Sequence, residues 1–442
     1  MAEIFPFPGI HYSPQGAPLS EVIAPPYDVL SPEQQEELHL RHPENFVRVM
    51  LNHDEIGDDA STNRYTRAAE TMQQWLDAGI LVQDDQPALY EYIQRFEHPL
   101  EPTIHVERQT LFVALKLEPY EKGVVLPHEE THPKAKTDRL NLMRTTQANP
   151  EPIYGLYEDP TLTVGKSLRQ IREGEPPFLR AKYPGKFGGV EEHLIYRHTD
   201  ACLLDDIQEY FLDRRVWIAD GHHRYETALN YQKERRAALS PEAAAKAHAF
   251  DSILIGLSAF EDPGLVVLPT HRLVKNLSED RLETLELHLE RFFHVEKKSV
   301  SELRIWMQET SPDEKRFGVI GKNDSFALTL RDLKLVQNSL DDTHCAAWKN
   351  LDVTILQTFV LDRTLGISWT ELAHTTDVAY TRDEEEAVQK ALSGEFQLAL
   401  LLQNPTVTEV REVASAGDKM PQKSTFFYPK LWSGLILRRL ED

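Results

Sequence analysis

Val216-Trp217-Ile218-Ala219-Asp220-Gly221-His222-His223-Arg224-Tyr225 decides how the rest of this chain is read. Four apolar residues in a row suit a buried strand end, and Gly221 permits a tight turn. From His223 to Arg235, Tyr225, Ala228, Leu229 and Tyr231 recur at helical spacing, which predicts a helix directly after the turn. A strand, a glycine turn and a helix start bring backbone N–H groups to the positive end of a helix beside the Arg224 cation, a combination that receives anions. The plain alternative is a polar turn whose histidines and arginine only cap and solvate. Two imidazoles and a guanidinium crowded behind Asp220-Gly221 bring the two readings level.

The remaining composition narrows the partners. A chain of 442 residues, 41% hydrophobic, is long enough for two or three globular domains. Lys and Arg total 48 against 71 Asp and Glu, and the resulting charge of −23 opposes attraction to a polyphosphate backbone, which argues against nucleic acid. No apolar run approaches the roughly eighteen residues of a membrane span, so no membrane partner is expected. Met1 to Gly9 lacks the basic and apolar regions of a secretory leader, and the expected location is the cytoplasm. Cys202 and Cys345 stand far apart without Cys-x-x-Cys spacing, so neither a disulfide framework nor a thiolate zinc site is indicated.

Three regions follow from the pattern. Residues 1–86 read as an α-rich extension, with helical patterns at Pro32 to His39 and Ser61 to Leu76. Residues 87–276 alternate strands, at Leu89 to Ile93, Gln109 to Leu115, Ile153 to Tyr157, Ser252 to Ser258 and Leu265 to Leu268, with helical segments, as in an α/β or α+β core. Residues 277–442 read as a C-terminal α/β subdomain. Its expected helices are Glu279 to Phe292, Ser301 to Glu309, Asp352 to Leu361 and Thr406 to Ala416, its hairpin Phe317 to Leu330, and its strands Phe396 to Leu402 and Gly434 to Leu437.

A second polar cluster is Pro127-His128-Glu129-Glu130-Thr131-His132-Pro133-Lys134, followed by Asp138-Arg139, Arg144 and Asn149. Residues 128 to 132 spell His-Glu-x-x-His, the zinc-hydrolase spacing, but Pro133 disfavours helical geometry at His132. In a different reading Glu129 is a general base toward a hydroxyl or a magnesium ligand, while the Asp220 turn binds phosphates. Gly165-Lys166-Ser167 is not a P-loop, because the first glycine of that motif would fall at Pro160. Near the end, Pro421 to Lys430 gathers two lysines, two hydroxyls and three aromatics in a Pro-bounded loop that can clamp a small anion. Pro269-Thr270-His271-Arg272 is either a polar strand end or a carboxylate-binding pair.

Taken together, Ala24-Pro25-Pro26-Tyr27-Asp28-Val29, Asn45 to Val49, Pro127-His128-Glu129 with Asp138-Arg139, Ala219 to Tyr225, Leu268 to Leu273 and Met420 to Lys430 resemble the prokaryotic family catalogued as domain of unknown function 1015. The order Pro-His-Glu, Asp-Gly-His-His-Arg and a late Pro-x-Lys-x-Thr loop is also similar to the archaeal ADP-dependent free serine kinases of the ParB/sulfiredoxin-like fold. That resemblance implies a ParB/sulfiredoxin-like core, transfer of phosphate from ADP or ATP with Mg2+, and a role in serine metabolism. It puts Glu129, Asp220 and His222 in catalysis, and His128, Gly221, His222, His223 and Arg224 around the nucleotide phosphates. His271, Arg272, Lys423, Ser424 and Thr425 fall to the serine-like substrate, and magnesium to Asp220 and Glu129. Related ParB-like proteins bind CTP and DNA, which implies as the alternative a nucleotide-binding regulator without turnover; a zinc hydrolase on His128, Glu129 and His132 is the third class.

Overall fold

The deciding stretch folds as strand, turn and helix: Val216–Asp220 is a strand with its first four residues buried, Gly221 turns, and His222–Ala237 is the helix. The computed structural model describes residues 1–131, 133–309, 314–340, 343–372 and 375–441, of which 133–135 and 371 by backbone alone. Two compact units form, Met1–Val266 together with Pro429–Asp442, and Val267–Tyr428. The class is mixed α/β.

In the first unit a nine-stranded sheet runs in the order Val125–Leu126, Val216–Asp220, Ile153–Tyr157, Ser252–Ala259, Glu101–Lys116, Leu89–His98, Val190–His198, Leu179–Pro184, and Ile4–Phe5 adds beside Glu101–Lys116. Val216–Asp220 is parallel to Val125–Leu126 and antiparallel to Ile153–Tyr157, which is itself parallel to Ser252–Ala259. Ser252–Ala259 and Ile153–Tyr157 are buried at every residue, and strands covered on both faces carry near-continuous apolar runs instead of alternation. Helices Ala201–Phe211 and His222–Ala237 contribute Ile207, Phe211, Tyr225 and Ala228 to one hydrophobic cluster with Ile218, Ile253 and Ile255 of the sheet. The opening segment is α-rich, with Pro32–Arg41 and Arg64–Asp77 each closed at its N-terminus by a capping box.

The second unit is built on a six-stranded antiparallel sheet in the order Phe293–Lys297, Ser325–Leu330, Arg316–Gly321, Leu398–Leu402, His271–Val274, Val378–Thr381. Helices Val300–Gln308 and Glu384–Ser393 cover it, and Leu303, Ala387, Val388 and Ala391 share a core with Ile320 and Leu401.

The structure departs from the expected elements at several places. The helix expected over Glu279 to Phe292 breaks into Glu279–Glu283 and Leu285–Leu289 at Thr284, whose hydroxyl donates to the Asp280 carbonyl at 2.7 Å and bends the chain. The helix expected over Asp352 to Leu361 starts as Asp352–Ile355 and widens to a π-helix over Leu356–Asp362, which no residue spacing announces. The Met420 to Pro429 loop contains a short strand, Phe426–Tyr428, and the terminal strand falls at Arg438–Arg439, paired with Ala148–Asn149, later than the Gly434 to Leu437 expected. Gly165-Lys166-Ser167 lies inside the helix Thr163–Arg172. Pro133–Thr146 is a helix where the sequence reads only as polar, because its buried side chains, Arg139, Leu142 and Met143, include a charged one. Among the described residues no helix is long and apolar enough to cross a membrane.

His193 and His271 sit buried in the first and second units, and burial, reinforced by Arg108 and Arg272 respectively, pushes each down to about 3. Both are neutral in the fold, whereas the unfolded chain takes up a proton at each below about 6.5. Their contribution is therefore intact above that pH and erodes as the pH falls from there toward 3, by up to about 1.4 kcal/mol per pH unit for each. Thermal melts are expected to show Tm dropping steadily from about pH 7 to about pH 5; a flat profile contradicts neutral burial.

Candidate functional site

Gly221 has φ +90°, and a Cβ there would lie 2.8 Å from Ile153 Cγ2 and 3.0 Å from Arg224 Nε, so the turn requires glycine. The turn sets Asp220 at the strand end and Arg224 in the first turn of the helix. Asp220 Oδ2 accepts a hydrogen bond from Arg224 Nη2 at 3.2 Å, and Oδ1 faces Lys430 Nζ at 3.2 Å. Burial alone would raise this carboxyl, but Lys430 and Arg224 outweigh it and hold Asp220 at about 2. Arg224 also donates through Nη1 to the Pro152 carbonyl at 2.7 Å, so its guanidinium braces the turn from behind.

The Pro127-His128-Glu129 segment comes to this turn. His128 is fully buried; its Nδ1–H donates to the Ile218 carbonyl at 2.6 Å, and its backbone N–H donates to His222 Nε2 at 3.2 Å. The rings meet edge to face, centroids 4.7 Å apart at 80°. These two bonds assign the neutral tautomers, His128 protonated on Nδ1 and His222 on Nδ1. Burial holds His128 below its ordinary value, against Glu129 and the Ile218 carbonyl. Glu129 closes the cluster, with Oε1 4.0 Å from His128 Nε2 and Oε2 3.9 Å from His222 Nδ1, and its side chain is 32% exposed. A carboxylate facing solvent above two oriented imidazoles can accept a proton from an incoming hydroxyl. His223 is half-buried next to His222.

Lys430 is delivered from far along the chain. Gln94 Nε2 donates to the Lys430 carbonyl at 3.0 Å, and Arg108, itself bonded to Gln94, donates to the Pro429 carbonyl at 2.5 Å. Reading the sequence singles out Lys423 in this run; the lysine that meets Asp220 is Lys430. Glu151 is a second residue the sequence reading passes over. Its Oε2 accepts from Arg139 Nη1 at 3.1 Å, and its Oε1 accepts from Ser433 Oγ at 3.1 Å and from the Tyr27 N–H at 3.3 Å. Arg139 lies 4.0 Å over the Tyr27 ring and pairs with Asp138 at 2.6 Å. The only sequence signal for Glu151 is a carboxylate between two prolines, Pro150 and Pro152.

Lys423, Ser424, Thr425, His271 and Arg272 belong to the second unit. There Arg272 Nη2 donates to the Lys423 carbonyl at 3.2 Å, and Ser424 Oγ donates to the Pro421 carbonyl. His271 Nδ1 accepts from the Leu402 N–H at 3.3 Å, and Thr425 leads into Phe426–Tyr428.

Residues 127–131 are not helical, so the His-Glu-x-x-His spacing is not carried on a zinc-protease helix; His132 lies outside the described residues. Among the described residues no group of three or more His, Cys, Asp or Glu is arranged to hold a metal. Magnesium does not fit Asp220 as the side chain stands, since one oxygen faces Lys430 and the other Arg224.

The first unit is thus a mixed α/β domain whose strand-to-helix turn gathers two carboxylates, two imidazoles and a lysine. The chain belongs to the family described as "Protein of unknown function (DUF1015)", which matches residues 4–354. A search of curated proteins finds no match. Among solved structures the chain is similar to a conserved hypothetical protein from Pyrococcus furiosus, at 15% identity and TM-score 0.33 over 73% of this chain and 92% of that one. It is also similar to a free serine kinase in complex with AMP, at 14% identity and TM-score 0.34 over 72% and 86%, and to SbnI with C-terminal truncation from Staphylococcus aureus, at 9% and 0.35 over 73% and 85%.

The Asp220–Lys430 pair is mostly buried, its side chains 20% and 13% exposed. A double-mutant cycle of Asp220→Asn and Lys430→Met, followed by denaturant unfolding at neutral pH, is expected to return a coupling of about 1–3 kcal/mol. The native carboxyl is depressed, so this coupling is present above its ordinary 3.8 and is lost as the pH falls through about 2. A coupling near zero means that the contact does not hold the return segment.

Proposed function

We propose that the first unit is a small-molecule phosphotransferase, acting on free L-serine or a close hydroxy amino acid with ADP or ATP as donor. The observation that carries this reading is Glu129, a partly exposed carboxylate within 4.0 Å of two imidazole nitrogens, above a glycine turn that opens a helix. In the proposed reaction the acceptor O–H gives its proton to Glu129 as its oxygen bonds to the donor's terminal phosphorus. The bond from that phosphorus to the bridging oxygen breaks, and the shortened nucleotide leaves with the electron pair. His222 Nδ1–H faces the Glu129 carboxylate, while His128, whose own Nδ1–H is committed to the Ile218 carbonyl, donates its backbone N–H to His222 Nε2 and so holds that ring in place; Lys430, held by Asp220, and the positive end of the His222–Ala237 helix offset charge on the phosphoryl group. No step is routed through a protein-bound metal; magnesium, as a nucleotide carries it, arrives with the donor. The ParB/sulfiredoxin-like core over residues 87–276, the cytoplasmic setting and a place in serine metabolism are parts of the same proposal, supported by the order of the three motifs.

Purified protein is to be incubated with ADP or ATP, magnesium and a panel of hydroxy amino acids, with phosphorylated product measured directly. Product from serine or a close analogue is expected. Glu129→Gln is expected to lower turnover at least about 100-fold while nucleotide binding by calorimetry survives. Tight nucleotide binding with no product from the wild type replaces the enzyme with a nucleotide-binding regulator, and Glu129→Gln with full activity removes Glu129 from the reaction.

A further inference from the structure

The second unit carries a cleft of about 650 Å³, the size of a small-molecule site, between the segment that leaves the strand His271–Val274 and the turn that follows the π-helix Leu356–Asp362. One wall is Lys275 to Ser278 and the other Leu365 to Ile367, and hydrogen bonds fix both. Lys275 N–H donates to the Asp377 carbonyl at 2.9 Å, and Asn276, at φ +61°, donates through Nδ2 to Asp377 Oδ1 at 2.6 Å. Gln397 clasps Leu277, accepting from its N–H at 2.6 Å and donating to its carbonyl at 2.9 Å. On the other wall Gly366 has φ +72°, and a Cβ there would lie 2.5 Å from both terminal nitrogens of Arg281. The guanidinium therefore rests on the glycine, and its Nη1 donates to the Thr364 carbonyl at 3.0 Å. Groups held in place before a ligand arrives lose less freedom when it binds.

The lining is net positive. Among the described residues Lys275 and Arg281 are its cations and Asp377 is its one carboxylate, in a chain whose net charge is −23. Neither cation forms an ion pair among the described residues. Lys275 Nζ lies 5.8 Å from the centre of the Phe396 ring, and Arg281 commits one of its five N–H donors, to Thr364. The Nε and Nη2 edge of Arg281 remains, the fork that fits two oxygens of a carboxylate or phosphate. Leu277, Leu365 and Ile367 add an apolar surface beside these charges. Two cations next to apolar side chains suit an organic anion with an apolar body better than a bare inorganic ion. No residue of the cleft is among those that the resemblance to the serine kinases assigns to substrate or nucleotide.

We infer that this cleft binds a small organic anion, a carboxylate or phosphate ester, whose oxygens accept from the Nε and Nη2 edge of Arg281, whose charge is shared with Lys275, and whose body covers Leu277 and Ile367. The site lies within the second unit and goes beyond the phosphotransfer reading, which rests on the first. The test follows isoleucine δ-methyl signals by NMR in full-length, isotope-labelled protein, the Ile367 signal being identified by its loss in Ile367→Leu. Phenyl phosphate, benzoate and neutral benzyl alcohol are titrated in turn at constant ionic strength. The Ile367 signal is expected to move saturably with phenyl phosphate or benzoate and to stay in place with benzyl alcohol at the same concentrations. Whichever anion moves it at the lower concentration assigns the site to phosphate esters or to carboxylates. Lys275→Gln and Arg281→Gln are each expected to raise the half-saturating concentration about tenfold, the loss of one charge-assisted contact, while methyl signals away from the cleft keep their positions. No movement with either anion, equal movement with benzyl alcohol, or unchanged affinity in either variant overturns the inference.

Discussion

A largely buried carboxylate has to be met by cations, and Asp220, 20% exposed, is met by two that come from different parts of the chain. Arg224 arrives locally, four residues on in the same turn, and Lys430 arrives in the final segment. The first contact depends on Gly221, since any side chain there meets Ile153 and the Arg224 guanidinium. The second depends on residues of the sheet that never approach Asp220 themselves: Gln94 and Arg108 hold the carbonyls of Lys430 and Pro429. The chain must therefore leave the first unit at Val266, complete the second, and return at Pro429 before this carboxylate is satisfied. The pairing makes the last segment part of the site.

A second ionic layer stands behind the turn. Glu151 ties Arg139, Ser433 and the Tyr27 backbone together, and Arg139 in turn stacks on Tyr27 and bonds Asp138, which accepts from Tyr65 at 2.8 Å. The Ala24 to Val29 stretch thus meets buried charge through Tyr27. Removing one member of such a network leaves the others as unpaired buried ions, which is more damaging than the pairwise contact suggests. Glu151 and Arg224 are linked across this layer by Pro152, whose carbonyl receives Arg224.

What was legible in the sequence is what is local. Val216–Asp220, the glycine turn and the helix follow from apolar run, turn residue and helical spacing over one short window, and Ile153–Tyr157 falls on its expected limits. The partnership of Glu129, His128 and His222 could be anticipated only as a motif order, because residue spacing does not reveal which ring nitrogen bonds a carbonyl. Lys430 over Lys423 was out of reach for a similar reason. Both sit in one lysine- and aromatic-bearing run, and they separate only when the chain divides between two units just before Pro429. The π-helix over Leu356–Asp362 has no local signature, since a widened turn is set by the packing of its buried residues.

Two buried cations can be compared directly. Arg224 is 7% exposed and shares an ion pair with Asp220; Arg272 is 2% exposed and, among the described residues, meets carbonyls and a ring. If burial alone decided their states, both guanidinia would fall below their ordinary value. Arg224 instead rises, because after the cost of burial the carboxylates of Glu151, Asp220 and Asp28 and the Tyr27 ring favour its charge, whereas Arg272 falls to about 10. Desolvation is common to the two, so the difference comes from the anions around them. The first unit supplies Arg224 with a counter-charge of its own in Asp220, which closes the ionic turn from within. Among the described residues of the second unit no carboxylate pairs with Arg272, and the carbonyls of Thr270 and Lys423 with the Tyr380 ring carry its charge instead.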